Sequence, residues 1–292
     1  MKRILLSVMT VALVAGAAFA ASGAFFSDTE TSFDNTFQAG ELDLQIDSTA
    51  HYAGLTCTEV DPGVFEWVED VPNTSTRPDL IGEPCDGSWD LTDLFEEKFF
   101  SFSDVKPGDA GENTISLHVF DNDAWACMDI SPLENDDNGL TEPEEEAGDT
   151  TGGDDEGELA QNLEFFSWKD DGDNVFEPDG NDQTPNTADD EFPLFSNVSG
   201  PASDVLNGVT YPLADSNGNV FDPLGGGPLI GSNDYFIGLA WCAGGIGISG
   251  GDISCDGDVM GNDTQSDSLT ADLSFRVEQS RNNPDFVCEP LD

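Results

Sequence analysis

Positive charge is nearly missing from this chain. Eight Lys and Arg stand against 60 Asp and Glu, a net charge of −52 over 292 residues. Phosphate and anionic headgroups are held by Lys and Arg, so nucleic acid and acidic membrane surfaces are excluded as partners. Histidine is almost as scarce, with His51 and His118 the two in the sequence. No HExxH helix is present to frame a zinc protease, and no cysteine pair has the CxxC spacing of a zinc site. The glycines in Cys242-Ala243-Gly244-Gly245-Ile246-Gly247 are followed by neither a helix nor a lysine, which disfavours a phosphate loop. Carboxylates are so abundant that no pair of them is diagnostic of glycoside hydrolysis. The residues therefore name no catalytic group. Helical periodicity is also lacking beyond the N-terminal segment, and the best short candidate is 90–98, DLTDLFEEK.

What is present starts with 20 Phe and 5 Trp, enough to bury a core. A charge this large repels itself and destabilises the compact state unless salt screens it or cations bind. A solvated acidic surface in high salt and specific calcium sites are both compatible with that. Residues 1–20, MKRILLSVMTVALVAGAAFA, have a basic start, a short apolar run and Ala18-Phe19-Ala20 at the cleavage positions of a secretory signal. The run is too short to span a membrane comfortably, and no second apolar segment or C-terminal anchor follows. Export implies an oxidising compartment, where six cysteines (Cys57, Cys85, Cys127, Cys242, Cys255 and Cys288) read as disulfides. Fifteen pairings exist for six cysteines. Cys57–Cys85 and Cys242–Cys255 are favoured as local loop closures, leaving Cys127 with Cys288.

Short alternating runs bounded by Gly, Pro, Asn and Asp dominate the rest: ELDLQID, KFFSFSDV, NTISLHVFD, AWACMDI, LEFFSWKDD, SNDYFIGLAW and SLTADLSFRVEQ. That is the signature of an antiparallel β-sandwich, expected to occupy 21–292 as one domain. In NTISLHVFD, His118 alternates with Leu117 and Val119, a structural or solvent-facing position. The acidic, Gly-rich stretch 134–158 lacks core-forming residues and is expected to be a solvated insertion or a cation-binding loop, the whole insertion reaching 134–160. VFDPLGGGP, 220–228, reads as a flexible connector. Asn-x-Ser/Thr triplets at Asn73, Asn197 and Asn262 are compatible with glycosylation.

Two acidic constellations suit calcium, which takes six to eight oxygens around a tight glycine turn. In KDDGDNVFEPDGND, the candidate ligands are Asp171, Asp173, Glu177 and Asp179. The order is not that of an EF-hand, and an acidic hairpin turn is the plain alternative. Asp121 and Asp123, just past a strand end, are expected to join Asp136 of the following loop in a second site at one rim, although Asp and Asn are also ordinary turn residues.

The stretch GAFFSDTETSFDNTFQAGELDLQID carries Phe26, Asp28-Thr29-Glu30-Thr31, Asn35-Thr36-Phe37, Ala39-Gly40 and Leu42-Asp43-Leu44. In that order these residues resemble the mature start of the TasA/camelysin (CalY) family, exported with a signal of the SipW-dependent type. Val105-Lys106-Pro107-Gly108-Asp109 resembles the family's turn, and Leu273-Ser274-Phe275-Arg276-Val277-Glu278-Gln279 its last core strand. The similarity covers roughly 1–50, 95–130 and 265–283, and leaves the middle of the chain and its cysteines outside. The resemblance implies a jelly-roll-like sandwich that assembles into extracellular fibres of a biofilm matrix. The N-terminal segment of one subunit, 21–35 here, would complete a sheet of the next, with Phe25, Phe26 and Phe33 as anchors. Camelysin-type members are classed as metallopeptidases, a label to which two isolated histidines lend no zinc site. A monomeric calcium-dependent adhesin is the third reading.

Overall fold

Period-two alternation builds the molecule. The structure, a computed structural model, describes residues 42–95, 97–180, 183–185, 187, 189–195 and 198–290. The signal, the segment 21–35 with Phe25, Phe26 and Phe33, and Asn197 lie outside the described residues. Gly40–Asp292 forms one unit. Its strands are β1 (Asp43–Tyr52), β2 (Leu55–Asp61), β3 (Val64–Glu69), β4 (Trp89–Thr92), β5 (Ala110–Phe120), β6 (Ala124–Ile130), β7 (Glu134–Asp136) and β8 (Leu163–Asp170). They continue with β9 (Gly200–Pro201), β10 (Thr210–Asp215), β11 (Gly218–Asn219), β12 (Asn233–Ala243), β13 (Gly245–Ser249), β14 (Asp252–Asp256), β15 (Ser268–Thr270) and β16 (Leu273–Gln279). A larger antiparallel sheet runs β3-β2-β1-β5-β12-β8-β9, with β4 also on β1, and a smaller one runs β11-β10-β6-β16. From β5 onward the chain alternates between the two sheets (β5, then β6, β8, β10, β12 and β16), as in a jelly roll. The fold is an all-β sandwich.

The main core lies between the sheets. Ile115, Leu117 and Val119 of β5 and Ile237, Leu239 and Trp241 of β12 point into it, meeting Ala126 and Met128 of β6 and Leu213 of β10. The opposite face of β8 builds a second, smaller core from Phe166, Trp168, Phe176 and Ala240, covered by Ile246, Ile248 and Ile253 of the β13–β14 hairpin. Trp168 lies flat on Gly238, where any side chain would overlap the indole ring. Phe176 comes from the acidic loop after β8. Burying such a side chain contributes about 1.5–3 kcal/mol, so the loop is anchored by an apolar plug.

Two expectations are corrected. KFFSFSDV forms no strand: the Phe99 carbonyl accepts from the buried Asn113 amide at 3.0 Å instead of joining a ladder. Phe99 is nevertheless buried, edge-on to Trp89 and Phe275. The 90–98 segment is not a helix. It opens in β4, whose Trp89 donates its indole N–H to the Ile46 carbonyl, so pairing on β1 overrides local helix preference. The insertion 134–158 is mostly exposed, as expected, but it is not irregular throughout. It carries β7, paired with β15, and a short helix α1 (Glu142–Ala147) whose Glu144 is 0% exposed. The segment 220–228 is tied down near its end, where the Asn219 side-chain amide donates to the Gly227 carbonyl.

All six cysteines pair, as Cys57–Cys85, Cys127–Cys288 and Cys242–Cys255. Cys127–Cys288 spans 161 residues and fastens the C-terminal segment to β6, whereas Cys242–Cys255 spans 13. Loop-closure entropy grows with the logarithm of length, giving about 5 kcal/mol for the long bridge and about 3 kcal/mol for the short one. Replacing Cys127 and Cys288 by Ser should therefore lower the denaturant midpoint more than replacing Cys242 and Cys255. Equal losses would show that native-state contacts, not chain entropy, set the contribution.

Candidate metal centre

The loop after β8 starts at Asp170, which is 3% exposed and held by three donors. Its Oδ1 accepts from the Trp168 indole at 3.0 Å, and its Oδ2 from the amides of Gly172 (2.9 Å) and Asn174 (3.3 Å). Glu191, 2% exposed, closes the other side: Oε1 accepts from the Asp171 amide at 3.1 Å and Oε2 from the Glu177 amide at 2.6 Å. Glu177 and Glu191 are bound again through the Glu191 amide and the Glu177 carbonyl. The Asn174 side chain reaches back to the sheet, accepting from Thr114 and donating to Glu112, both at 3.0 Å. Phe176 pins the middle of the loop in the outer core.

This arrangement gathers Asp171, Asp173 and Glu177 around a buried Glu191, and their charges act on one another. Burial pushes the Glu191 carboxyl up to about 8, with Asp170, Asp171 and Asp173 adding to the shift against the Glu177 amide. Glu177 is raised by desolvation and by Asp173, Asp171 and Asp189. Glu112 is raised by burial and by Asp170. Lys169 gives its ammonium to the Asp190 carbonyl at 3.0 Å. One lysine against Asp170, Asp171, Asp173, Glu177 and Glu191 leaves a strongly anionic cluster of hard oxygen donors, but among the described residues no three of these carboxylates bring oxygens within 4.8 Å of one another. Asp179 is exposed, and among the described residues no hydrogen bond or ion pair joins its carboxylate to the others. Asp170 and Glu191 carry no spacing signal. Glu191 lies 14 residues from Glu177, and its one visible mark is the run Asp189-Asp190-Glu191 leading into apolar Phe192-Pro193-Leu194.

The second expected set does not assemble. Asp121 and Asp123 precede β6, Asp136 follows it, and a seven-residue strand holds its ends roughly 20 Å apart. Asp123 accepts from the Gly231 amide at 2.9 Å, beside a shallow cavity that Arg281 also lines. Asp136 accepts from the Asp155 amide at 2.9 Å and pairs with Ser268.

The histidines do not meet either. His51 stands opposite Glu112 on β5, six residues from His118, again roughly 20 Å along a strand. His118 lies between Asp234 (2.7 Å) and Asp47 (2.6 Å), and His51, lowered by burial, bonds Thr56 at 3.0 Å. Gly247-Ile248-Ser249-Gly250-Gly251 has the letters of a nucleophile elbow. It forms the end of β13 and the turn into β14, with Ser249 opposite Asp252, and not a strand-to-helix turn. No protein-family model matches the chain, and no curated protein matches it.

Glu191 makes a pH prediction. Its folded value of about 8 lies above its ordinary value of 4.5, so between those values the folded chain keeps a proton that the unfolded chain releases. Stability falls as pH rises through that window. In chelator, the melting temperature should decline from pH 5 to 8, and Glu191→Gln should flatten that decline. An unchanged slope in Glu191→Gln would remove Glu191 as its source.

Proposed function

We propose that the protein is a secreted structural subunit of extracellular fibres, in a biofilm matrix or cell-surface layer. Subunits join when segment 21–35 of one adds as a strand to a sheet of the next, and calcium stabilises the acidic loops. The observation that carries this reading is the bare edge of β16. The outer edge of β3 is covered by segment 82–85 through Trp67, Gly82 and Cys85. The outer edge of β8 is covered by 192–194 through Lys169 and Leu194. β16 bonds β6 on one side, and among the described residues no backbone hydrogen bond forms on the other.

Its geometry suits strand addition. Ser131 N–H donates to the Asp272 carbonyl and Ser280 N–H to the Asp123 carbonyl, both in the register of the β6–β16 ladder. Between these bracketing pairs the bonding alternates, so the amides and carbonyls of Leu273, Phe275, Val277 and Gln279 face away from β6. Leu273, Phe275 and Val277 pack on the core and remain half-exposed. An unpaired row beside incompletely covered apolar side chains is what an added strand completes. The TasA/camelysin-like start of the chain, with its three Phe, supplies a donor of the right character. Three disulfides are compatible with an extracellular location, and among the described residues no helix is long and apolar enough to cross a membrane.

Electron microscopy of residues 21–292 should show filaments favoured by calcium, and a chain starting at residue 36 should show none. Val277→Pro removes an outward amide without breaking the β6 ladder, and should give a folded monomer that does not polymerise. Folded monomers of the intact chain under every condition would overturn the fibre reading and leave a calcium-dependent adhesin.

A further inference from the structure

The insertion 134–158 holds a second acidic cluster, remote in sequence from the loop closed by Glu191. Here two carboxylates are inside the protein, Asp137 at 3% exposed and Glu144 at 0%, and Asp149, Glu158 and Asp267 are partly buried. One oxygen from each of Asp137, Glu144 and Asp267 lies within 4.8 Å of the other two. The chain orients Asp137, Asp149 and Asp267 through one oxygen each. Asp137 Oδ1 accepts from the Gly139 amide at 2.7 Å. Asp267 Oδ2 accepts from the amides of Glu158 (2.7 Å) and Leu159 (3.0 Å). Asp149 Oδ1 accepts from the Thr151 amide at 3.0 Å. The other oxygens, Asp137 Oδ2, Asp267 Oδ1 and Asp149 Oδ2, are buried with no hydrogen-bond partner, as is Glu158 Oε2. Glu144 accepts from the Thr141 amide and from the Ser266 hydroxyl.

Among the described residues, no Lys, Arg or His forms an ion pair with any of these five. Burial pushes Glu158 up to about 7, helped by Asp149, Asp267, Asp263 and Asp137. Burial also raises Asp267, as do Asp137 and Glu144. A buried carboxylate oxygen without a donor is costly, and several together repel one another. Backbone amides fix one oxygen of Asp137, Asp149 and Asp267 and leave its buried twin without a donor, which makes room for a cation.

We propose that Asp137, Glu144 and Asp267, with Asp149 and Glu158 beside them, form a calcium site that staples the acidic insertion to β15. The donors are all hard, anionic oxygens, which selects against zinc and copper. A calcium ion with bonds of about 2.4 Å bridges oxygens up to about 4.8 Å apart, while magnesium reaches about 4.2 Å and keeps most of its waters. The ligands come from β7's end, α1, the loop behind it and Asp267, the residue before β15. The site stands apart from the fibre reading, since it needs no second subunit.

The test compares wild type with Asp137→Asn/Asp267→Asn, each stripped by chelator in molar NaCl and then returned to calcium. Bound calcium is counted per chain, and melting is followed in both buffers. The variant should bind one ion fewer. It should melt above wild type in chelator, because repulsion is relieved, and below it in calcium, because ligands are lost. An unchanged ion count, or a variant that melts lower in both buffers, overturns the site in favour of a merely structural role. If the variant does not fold, hydrogen exchange of wild type at matched NaCl decides. Amides of 135–158 protected by calcium support the site, and equal exchange in chelator overturns it. Filament formation enters none of these readouts, so failure of the polymer leaves them intact.

Discussion

Sixty carboxylates on a chain with eight Lys and Arg leave the sandwich almost no positive charge of its own, so each acidic group must stay in water, take backbone N–H donors or share a cation. The structure uses the second route repeatedly. Asp170 takes the amides of Gly172 and Asn174, Glu191 those of Asp171 and Glu177, and Asp267 those of Glu158 and Leu159. An amide can turn toward a carboxylate only if the chain wraps around it. The acidic loops therefore take their shape from their carboxylates and have little core of their own.

What holds such loops on the molecule is apolar and covalent. Phe176 seats the 171–191 loop on Phe166 and Trp168, and the β13–β14 hairpin that roofs this small core is tied to β12 by Cys242–Cys255. The 134–158 insertion has no comparable plug. It is attached by the short β7–β15 ladder, by hydrogen bonds from Asn138 to Ser266 and Ser268, and by the amides on Asp267. The two acidic regions are thus attached differently: one by an apolar plug, the other by hydrogen bonds with buried carboxylates at the joint itself.

That joint leads directly to the sheet margin. Asp267 precedes β15, and only Ala271 and Asp272 separate β15 from β16. The strand that lacks a second partner among the described residues thus begins shortly after Asp267. Cys127–Cys288 and the Arg276–Asp129 ion pair brace the same small sheet on β6. These braces fix the position and register of β16 on β6.

The sequence by itself determined the alternation of β1, β5, β6, β8, β12 and β16, because a strand with one face in a core must repeat every second residue. It also determined the acidic loops as glycine-rich interruptions, and the short disulfides as local closures. Tertiary structure decided the rest. KFFSFSDV alternates like a strand, but its Phe99 carbonyl is claimed by Asn113, far along the chain from any local signal. Glu191 joins Asp171 and Glu177 only because the chain returns along β8. Asp136 and Asp137 are indistinguishable by composition, yet one accepts from the Asp155 amide while the other is buried among carboxylates. Adjacent residues of an extended chain point to opposite sides, and which side is inside depends on what packs there, which no spacing within the segment records.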